Sequence, residues 1–375
     1  MDRWIAEHAR RLTRSAPEQI ARLVDAPSPN GEADGARACL EILRRLLPSA
    51  AAVSGDPSST SGYADDLRAT VTGTGRGRLL LLGHVDTVIP RADHRPATRD
   101  GSLLRGSGTY DMKGGLVVAA AIMRALAARA DLYESVTLRC VADEEWRDQP
   151  LRISEPDAAI DACLCFEGGE RIDGDEAIVV RRKGAAVLTV DAEGGAAHAG
   201  ASADQGRSAL AALARLVGEL GAAEWPADVT VVPTVLSSGD AINVVPATGR
   251  LACDVRTPDP AGVAPVLHAA VPDRVGEVLL ASDVRQRFPA LDARTAAQPL
   301  LDHTAGLLAR PVRPASRGGS SDAAFLGAHV PLTIDGLGPL GGGDHSPREH
   351  VELDSLADRI ELALACAVAA LGLEV

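Results

Sequence analysis

Residues 79–90 read LLLLGHVDTVIP, four leucines in a row followed by His84 and Asp86. An apolar run without polar alternation is how a strand covered on both faces of a parallel sheet reads, which calls for an α/β fold with helices on either side. The i, i+2 spacing of His84 and Asp86 puts both side chains on one face at the C-terminal end of that strand, where open parallel sheets bind ligands. His-x-Asp alone also suits a strand cap that only satisfies loop backbone. A metal or catalytic site therefore has to be argued from the rest of the chain.

Two further strand candidates end in the same way. Val136–Ala142 closes on Asp143, Glu144 and Glu145, and Ala162–Phe166 closes on Glu167. GTYDMKGG places Asp111 just before an Ala-rich helix, and the Gly-rich loop GGDHSPRE carries His345. Acidic residues scattered at random over loops would seldom fall at three consecutive strand ends. Two histidines and three carboxylates are enough for two metal sites sharing one carboxylate, with the ions ~3.5–4 Å apart. Oxygen and imidazole donors without thiolates suit zinc, and also cobalt or manganese. Glu144 and Glu145 point apart on an extended backbone, so one can ligate while the other faces a water as general base.

Helical spacing covers Trp4–Val24 and Ala33–Leu47, a polar stretch follows at Ser54–Asp66, and Leu67–Thr72 reads as an edge strand. At Arg181 the order changes to βαββαβ, the split-βαβ or ferredoxin-like unit of about 100 residues. The expected organisation is a catalytic domain in two parts, 1–180 and 290–375, interrupted by an inserted domain at 181–289. The second part resumes the α/β pattern and ends in an amphipathic helix with Asp354 as its N-cap. The expected fold class is thus a mostly parallel-sheet α/β metallohydrolase domain carrying an inserted α+β ferredoxin-like domain.

With 375 residues, 46% of them hydrophobic, the chain can bury two cores, and with 2% aromatic residues those cores are aliphatic. So few aromatics disfavour recognition by base stacking, and a net charge of −13 opposes nucleic-acid and anionic-membrane partners. The charged N-terminal segment has no apolar core of a secretory signal, and no stretch reaches the roughly 18 apolar residues of a membrane span. Six scattered cysteines form no paired CxxC motifs, so a cytoplasmic location is expected.

In this order, GHVDTV, GTYDMKGG, ADEEW, FEGGE and GGDHSPRE resemble the dinuclear zinc family that includes carboxypeptidase G, acetylornithine deacetylase, succinyl-diaminopimelate desuccinylase and aminoacylase. The resemblance runs over essentially the whole chain. It implies that His84 and Glu167 bind one zinc, Glu145 and His345 the other, and that Asp111 bridges them. It further implies that Asp86 orients His84, that Glu144 is the general base for a metal-activated water, and that the Asp111–Met112 peptide is cis. The inserted domain becomes a lid through which dimeric members associate, so a homodimer is implied. His198 in GGAAHAGA matches the family's lid histidine, which stabilises the oxyanion from the partner subunit. Asn243 in INVVP matches a substrate-contacting asparagine. Arg287 matches an arginine that precedes proline in relatives, although Phe288 intervenes here before Pro289; Arg256 and Arg317 are reserve carboxylate binders.

The expected activity is hydrolysis of an amide next to a free amino-acid carboxylate, in a small peptide or an N-acyl amino acid. FEGGE, DAEGGAAHAGA and INVVPATG lean toward a glutamate-releasing carboxypeptidase. The alternative is an N-acyl-amino-acid deacylase of the acetylornithine or succinyl-diaminopimelate type. A mononuclear carbamoylase-like enzyme would differ in metal stoichiometry. A non-catalytic binding relative would have lost a ligand or the base, and all six of those residues are present.

Overall fold

The computed structural model describes residues 3–147 and 149–372. The chain divides into two compact units, one comprising Met1–Arg181, Leu291–Ser316 and Ser321–Val375, the other Arg182–Ala290 and Arg317–Ser320.

The first unit is built on a six-stranded sheet in the order Ala52–Asp56, Asp66–Thr72, Ser135–Val141, Arg78–His84, Ala162–Cys165, Leu332–Ile334. The last four strands run parallel and the first two antiparallel. The leucine run occupies the centre. Leu79 and Leu81 pack into one core with the helices Gly114–Leu126 and Leu356–Gly372, whereas Leu80 and Leu82 pack into a second core with Leu151, Ala323 and Leu326. All four leucines are essentially inaccessible to solvent, each contributing about 1.5–3 kcal/mol of apolar burial. Cys163 and Cys165 alternate with Leu164 in the same way, and all six cysteines are buried free thiols.

Three details differ from the sequence reading. The strand Asp66–Thr72 is interior to the sheet, because Ala52–Asp56 pairs outside it as the edge strand. That edge strand is almost wholly exposed, so it carries no burial periodicity from which to recognise it. Asp354 does not cap the last helix; it lies inside a 3₁₀ turn, Leu353–Ser355, that precedes Leu356–Gly372. The first helical stretch is two helices, Arg3–Thr13 and Ala16–Val24, with a proline in the first turn of the second.

The second unit has a fully antiparallel sheet in the order Thr230–Ser238, Thr248–Thr257, Gly184–Glu193, Val278–Phe288, Arg274–Val275. With helices Ala209–Ala222 and Ala264–Ala269 in their chain positions, this is the split-βαβ topology. Its separate aliphatic core includes Leu188, Val190, Leu213, Leu216, Val255 and Leu267. Among the described residues, no helix is long and apolar enough to cross a membrane.

Candidate active site

Three neighbouring parallel strands deliver acidic and imidazole side chains to one edge of the first unit's sheet. His84 is the last residue of Arg78–His84, Glu144 and Glu145 follow Ser135–Val141, and Glu167 follows Ala162–Cys165. Asp111 lies in the turn Thr109–Lys113, which opens the helix Gly114–Leu126, and the Asp111–Met112 peptide is cis. The helix start lies so close to the end of the Glu167 strand that a Cβ on Gly115 would stand 1.8 Å from the Phe166 carbonyl oxygen. Only glycine fits there. His345 sits in its loop at φ 56°, in the left-handed region.

The side chains converge on Asp111. Its Oδ1 is 3.1 Å from His84 Nε2 and its Oδ2 is 3.1 Å from His345 Nε2. Glu167 Oε1 lies 3.6 Å from His84 Nε2, and Glu145 Oε2 lies 3.3 Å from His345 Nε2. Two triads result, His84/Asp111/Glu167 and Asp111/Glu145/His345, each with one donor atom per residue within 4.8 Å of the others. Glu144 belongs to neither, although its Oε2 is 4.0 Å from His84 Nε2 and it is buried.

Electrostatics mark the same spot. Burial and then the Asp111 charge push Glu145 up to about 7. Burial raises Glu144 well above the carboxylate range, an effect opposed by His84 and reinforced by Asp322, Glu167 and Glu145. Burial alone would lower His84, but hydrogen bonds to Asp111 and Asp86 and the charges of Glu144 and Glu167 raise it. Hydrogen bonds to Asp111 and Glu145 push His345 up to about 11. Negative charge is thus concentrated beyond what two imidazolium protons offset. The donor set, oxygen and imidazole nitrogen with one carboxylate shared, fits a pair of divalent cations of the zinc, cobalt or manganese type.

Asp86 supports both the ligands and Glu144. Its backbone oxygen accepts from His84 Nδ1 at 3.0 Å, leaving Nε2 to face the triad. Its Oδ1 accepts the Glu144 N–H at 3.1 Å, and its Oδ2 accepts the Glu145 N–H at 3.0 Å and Asn30 Nδ2 at 2.8 Å. Arg147 grips Asp322 with two bonds of 2.7 Å and donates to the Asp143 carbonyl at 3.0 Å, bracing the Glu144–Glu145 loop. The Glu349 carboxylate accepts from backbone N–H groups beside Asp111. Asn30, Arg147, Asp322 and Glu349 carry no role in the sequence reading. For Glu349 a signal exists, its place in the GGDHSPRE motif; for the other three, only the folded chain supplies the partner.

His198, Asn243 and Arg287 belong to the second unit. His198 lies on the two-residue strand Ala197–His198, paired with Val244–Val245, and the Ala199 N–H donates to the Asn243 oxygen at 2.9 Å, so His198 and Asn243 are neighbours. His198 Nδ1 accepts the N–H groups of Gly200 and Ala201, both at 3.1 Å. The neutral ring therefore carries its proton on Nε2. Arg287 is half-buried on Val278–Phe288. Arg256 is engaged with Asp254 at 2.8 Å and with Ser320, and the Arg317 oxygen accepts the Lys183 N–H.

Comparison with known proteins agrees with this architecture. Carboxypeptidase G2 of a Pseudomonas strain is 26% identical over 363 residues, covering 92% of this chain and 86% of that protein. The succinyl-diaminopimelate desuccinylase of Gluconobacter oxydans is 29% identical over 319 residues, covering 78% of this chain and 81% of that protein. Among solved structures, an aminopeptidase from Bacillus cereus superposes with a TM-score of 0.76 at 18% identity, covering 96% of this chain and 98% of the other. A dinuclear metal-binding peptidase from Bacillus subtilis gives 0.66 at 14% identity, over 96% and 98%. The model of peptidase family M20/M25/M40 matches residues 80–369, a span that holds every residue of both triads and the inserted unit, and the chain is a member of that family of metallohydrolases.

Proposed function

We propose that the protein is a dinuclear metal hydrolase that cleaves an amide next to a free amino-acid carboxylate, as a carboxypeptidase of the glutamate-releasing type. The observation that carries this reading is the sharing of Asp111 between two His/carboxylate triads, with a further buried carboxylate, Glu144, beside them and outside both. His84 and Glu167 would hold one ion and Glu145 and His345 the other, with Asp111 common to both sets; zinc suits these donors, as do cobalt and manganese. Such ions, when bound, polarise the scissile carbonyl and make water a nucleophile near neutral pH.

The chain's own residues do the rest. Glu144 takes the proton of the attacking water on its carboxylate and passes it to the leaving amine nitrogen. His198, with its proton on Nε2, donates to the oxyanion that develops at the carbonyl. Asn243 and Arg287 bind the substrate carboxylate. The inserted unit serves as lid and as the surface of a homodimer, in a cytoplasmic enzyme. The likeness to carboxypeptidase G2 over most of both chains supports a peptidase or deacylase; the FEGGE, DAEGGAAHAGA and INVVPATG segments are what lean the proposal toward glutamate release.

A second reading, an N-acyl-amino-acid deacylase, is favoured by the several relatives that are succinyl-diaminopimelate desuccinylases. A paired panel separates the two. The zinc- or cobalt-loaded protein is assayed on dipeptides and folyl-type glutamates against acetylated and succinylated amino acids, with chelated protein as control. Preference for C-terminal glutamate conjugates supports the carboxypeptidase, and preference for acylated amino acids the deacylase. Turnover that survives chelation overturns both.

A further inference from the structure

We infer that Glu349 is a positioning residue whose carboxylate fixes the loop presenting Asp111 and ties it to the loop presenting His345. This rests on reading the two triads as the metal centre. Glu349 is buried, 3% exposed. Its Oε2 accepts the Gly108 N–H at 2.7 Å, and its Oε1 accepts the N–H groups of Tyr110 and Asp111, both at 2.9 Å. Among the described residues no lysine, arginine or histidine forms an ion pair with it; these amide dipoles and, at longer range, the buried Lys113 ammonium meet its charge. Converging backbone N–H groups form an anion-binding nest, and here the anion is the protein's own. Gly108 makes the turn possible at φ 80°, where a Cβ would also press to 2.8 Å from Thr87 Cγ2.

The main chain around Glu349 closes the link. Gly106 N–H donates to the Glu349 oxygen at 3.3 Å, Glu349 N–H donates to the Ser346 oxygen at 3.2 Å, and His350–Glu352 pairs with Leu103–Arg105. The Asp111 loop and the His345 loop, distant in sequence, thus move as one piece. Asp111 offers one oxygen to each triad, so a small rotation about its backbone withdraws at least one of them. The bond from Glu349 to the Asp111 amide resists that rotation. Because Asp111 is shared, loosening it weakens both triads together, whereas loosening Glu167 weakens only the His84 side.

The test uses full-length protein stripped of metal with a chelator and titrated with Co²⁺ by calorimetry and visible absorption. Glu349→Gln keeps the volume but has a single acceptor oxygen, so it cannot accept on both sides. The expected result is that wild type binds two equivalents and that Glu349→Gln weakens both by about 10–100-fold. Glu167→Gln should weaken one. Leu12→Ala, a core change in the helix Arg3–Thr13, should lower Tm and leave both affinities unchanged. Wild-type affinity in Glu349→Gln, or a loss no larger than that of Leu12→Ala, overturns the inference while leaving the metal centre intact. A wild-type protein that binds no divalent ion overturns the metal centre and this inference with it. If Glu349→Gln does not fold, Glu349→Asp replaces it: the charge stays but the reach shortens by one methylene, so wild-type affinity there overturns the inference equally.

Discussion

The Asp86 carboxylate accepts the backbone N–H of Glu144 at 3.1 Å. The side chain that follows the His84 strand therefore also sets the height of Glu144, the proposed general base, and the neighbouring oxygen does the same for Glu145 at 3.0 Å. Replacing Asp86 with Asn puts an amide NH₂ against one of these donors and leaves it unsatisfied, at a cost of about 1–3 kcal/mol. His84 Nδ1 donates to the Asp86 main-chain oxygen at 3.0 Å, a bond the substitution leaves in place, while the carboxylate oxygen 3.4 Å from Nδ1 loses its charge. Asp86→Asn is expected to retain both metals while kcat falls by about 10–100-fold, at 1.4 kcal/mol per decade. Metal stoichiometry and steady-state kinetics on the same preparation check this.

Glu144 and Asp111 should separate chemistry from metal binding. Glu144→Ala is expected to bind two ions and lose about 10²–10⁴-fold in kcat, because Glu144 lies outside both triads. Asp111→Ala removes the shared ligand, so both ions should be lost, and added metal should not restore turnover. Chelation of wild type should abolish activity reversibly. Normal turnover by metal-replete Glu144→Ala would refute the base assignment.

The Arg147–Asp322 pair is buried on both sides, at 2% and 4% side-chain exposure. Removing one partner strands the other charge, so Arg147→Met alone should cost about 3–5 kcal/mol. The double variant Arg147→Met/Asp322→Leu should recover most of that loss. Urea unfolding midpoints of the two single variants and the double variant give the coupling directly.

Arg139 joins two buried carboxylates, Asp66 at 2.9 Å and Asp157 at 2.7 Å, which titrate in opposite directions. Burial, outweighing the pull of Arg139, pushes Asp66 up to about 7. Burial also tends to raise Asp157, but the charge of Arg139 and the hydrogen bond from Arg68 hold it below the usual range. A raised carboxyl binds its proton more tightly when folded, so the Asp66 contribution to stability falls as pH rises from about 4 to about 7. A lowered carboxyl stabilises above about pH 4 and loses that contribution as pH drops through its folded value. Tm measured against pH on chelated protein should show it. The Asp66→Asn minus wild-type difference should vary between about pH 4 and 7, by a few °C, and the Asp157→Asn difference only below about pH 4.

Much of the fold lies in local pattern. The leucine run is apolar at every position because alternate residues serve two different cores, and that periodicity is visible without coordinates. The antiparallel unit announces itself by a change in element order at Arg181. The edge strand Ala52–Asp56 is the counterexample: almost wholly exposed, it is held by ladder bonds to a neighbour that the chain reaches only after a loop. Asp354 is a further one, since a 3₁₀ turn and an α-helical first turn accept the same residues.

In the site, residue type and strand-end position singled out His84, Glu144, Glu145 and Glu167, because parallel strands expose their C-terminal ends at one edge and any side chain there must share it; Asp111 and His345 stood out only through their Gly-rich motifs. The apportioning of those groups is not readable from residue type and strand position and comes only as an implication of the motifs; the bonds that hold the loops are written in neither. That Asp86 accepts from the Glu144 and Glu145 amides, and that Glu349 holds the Asp111 amide, depend on backbone N–H groups meeting carboxylates 58 to 238 positions away. Backbone donors are the same at every non-proline residue, so no side-chain pattern encodes which of them a carboxylate will find; the packing of the loops selects it.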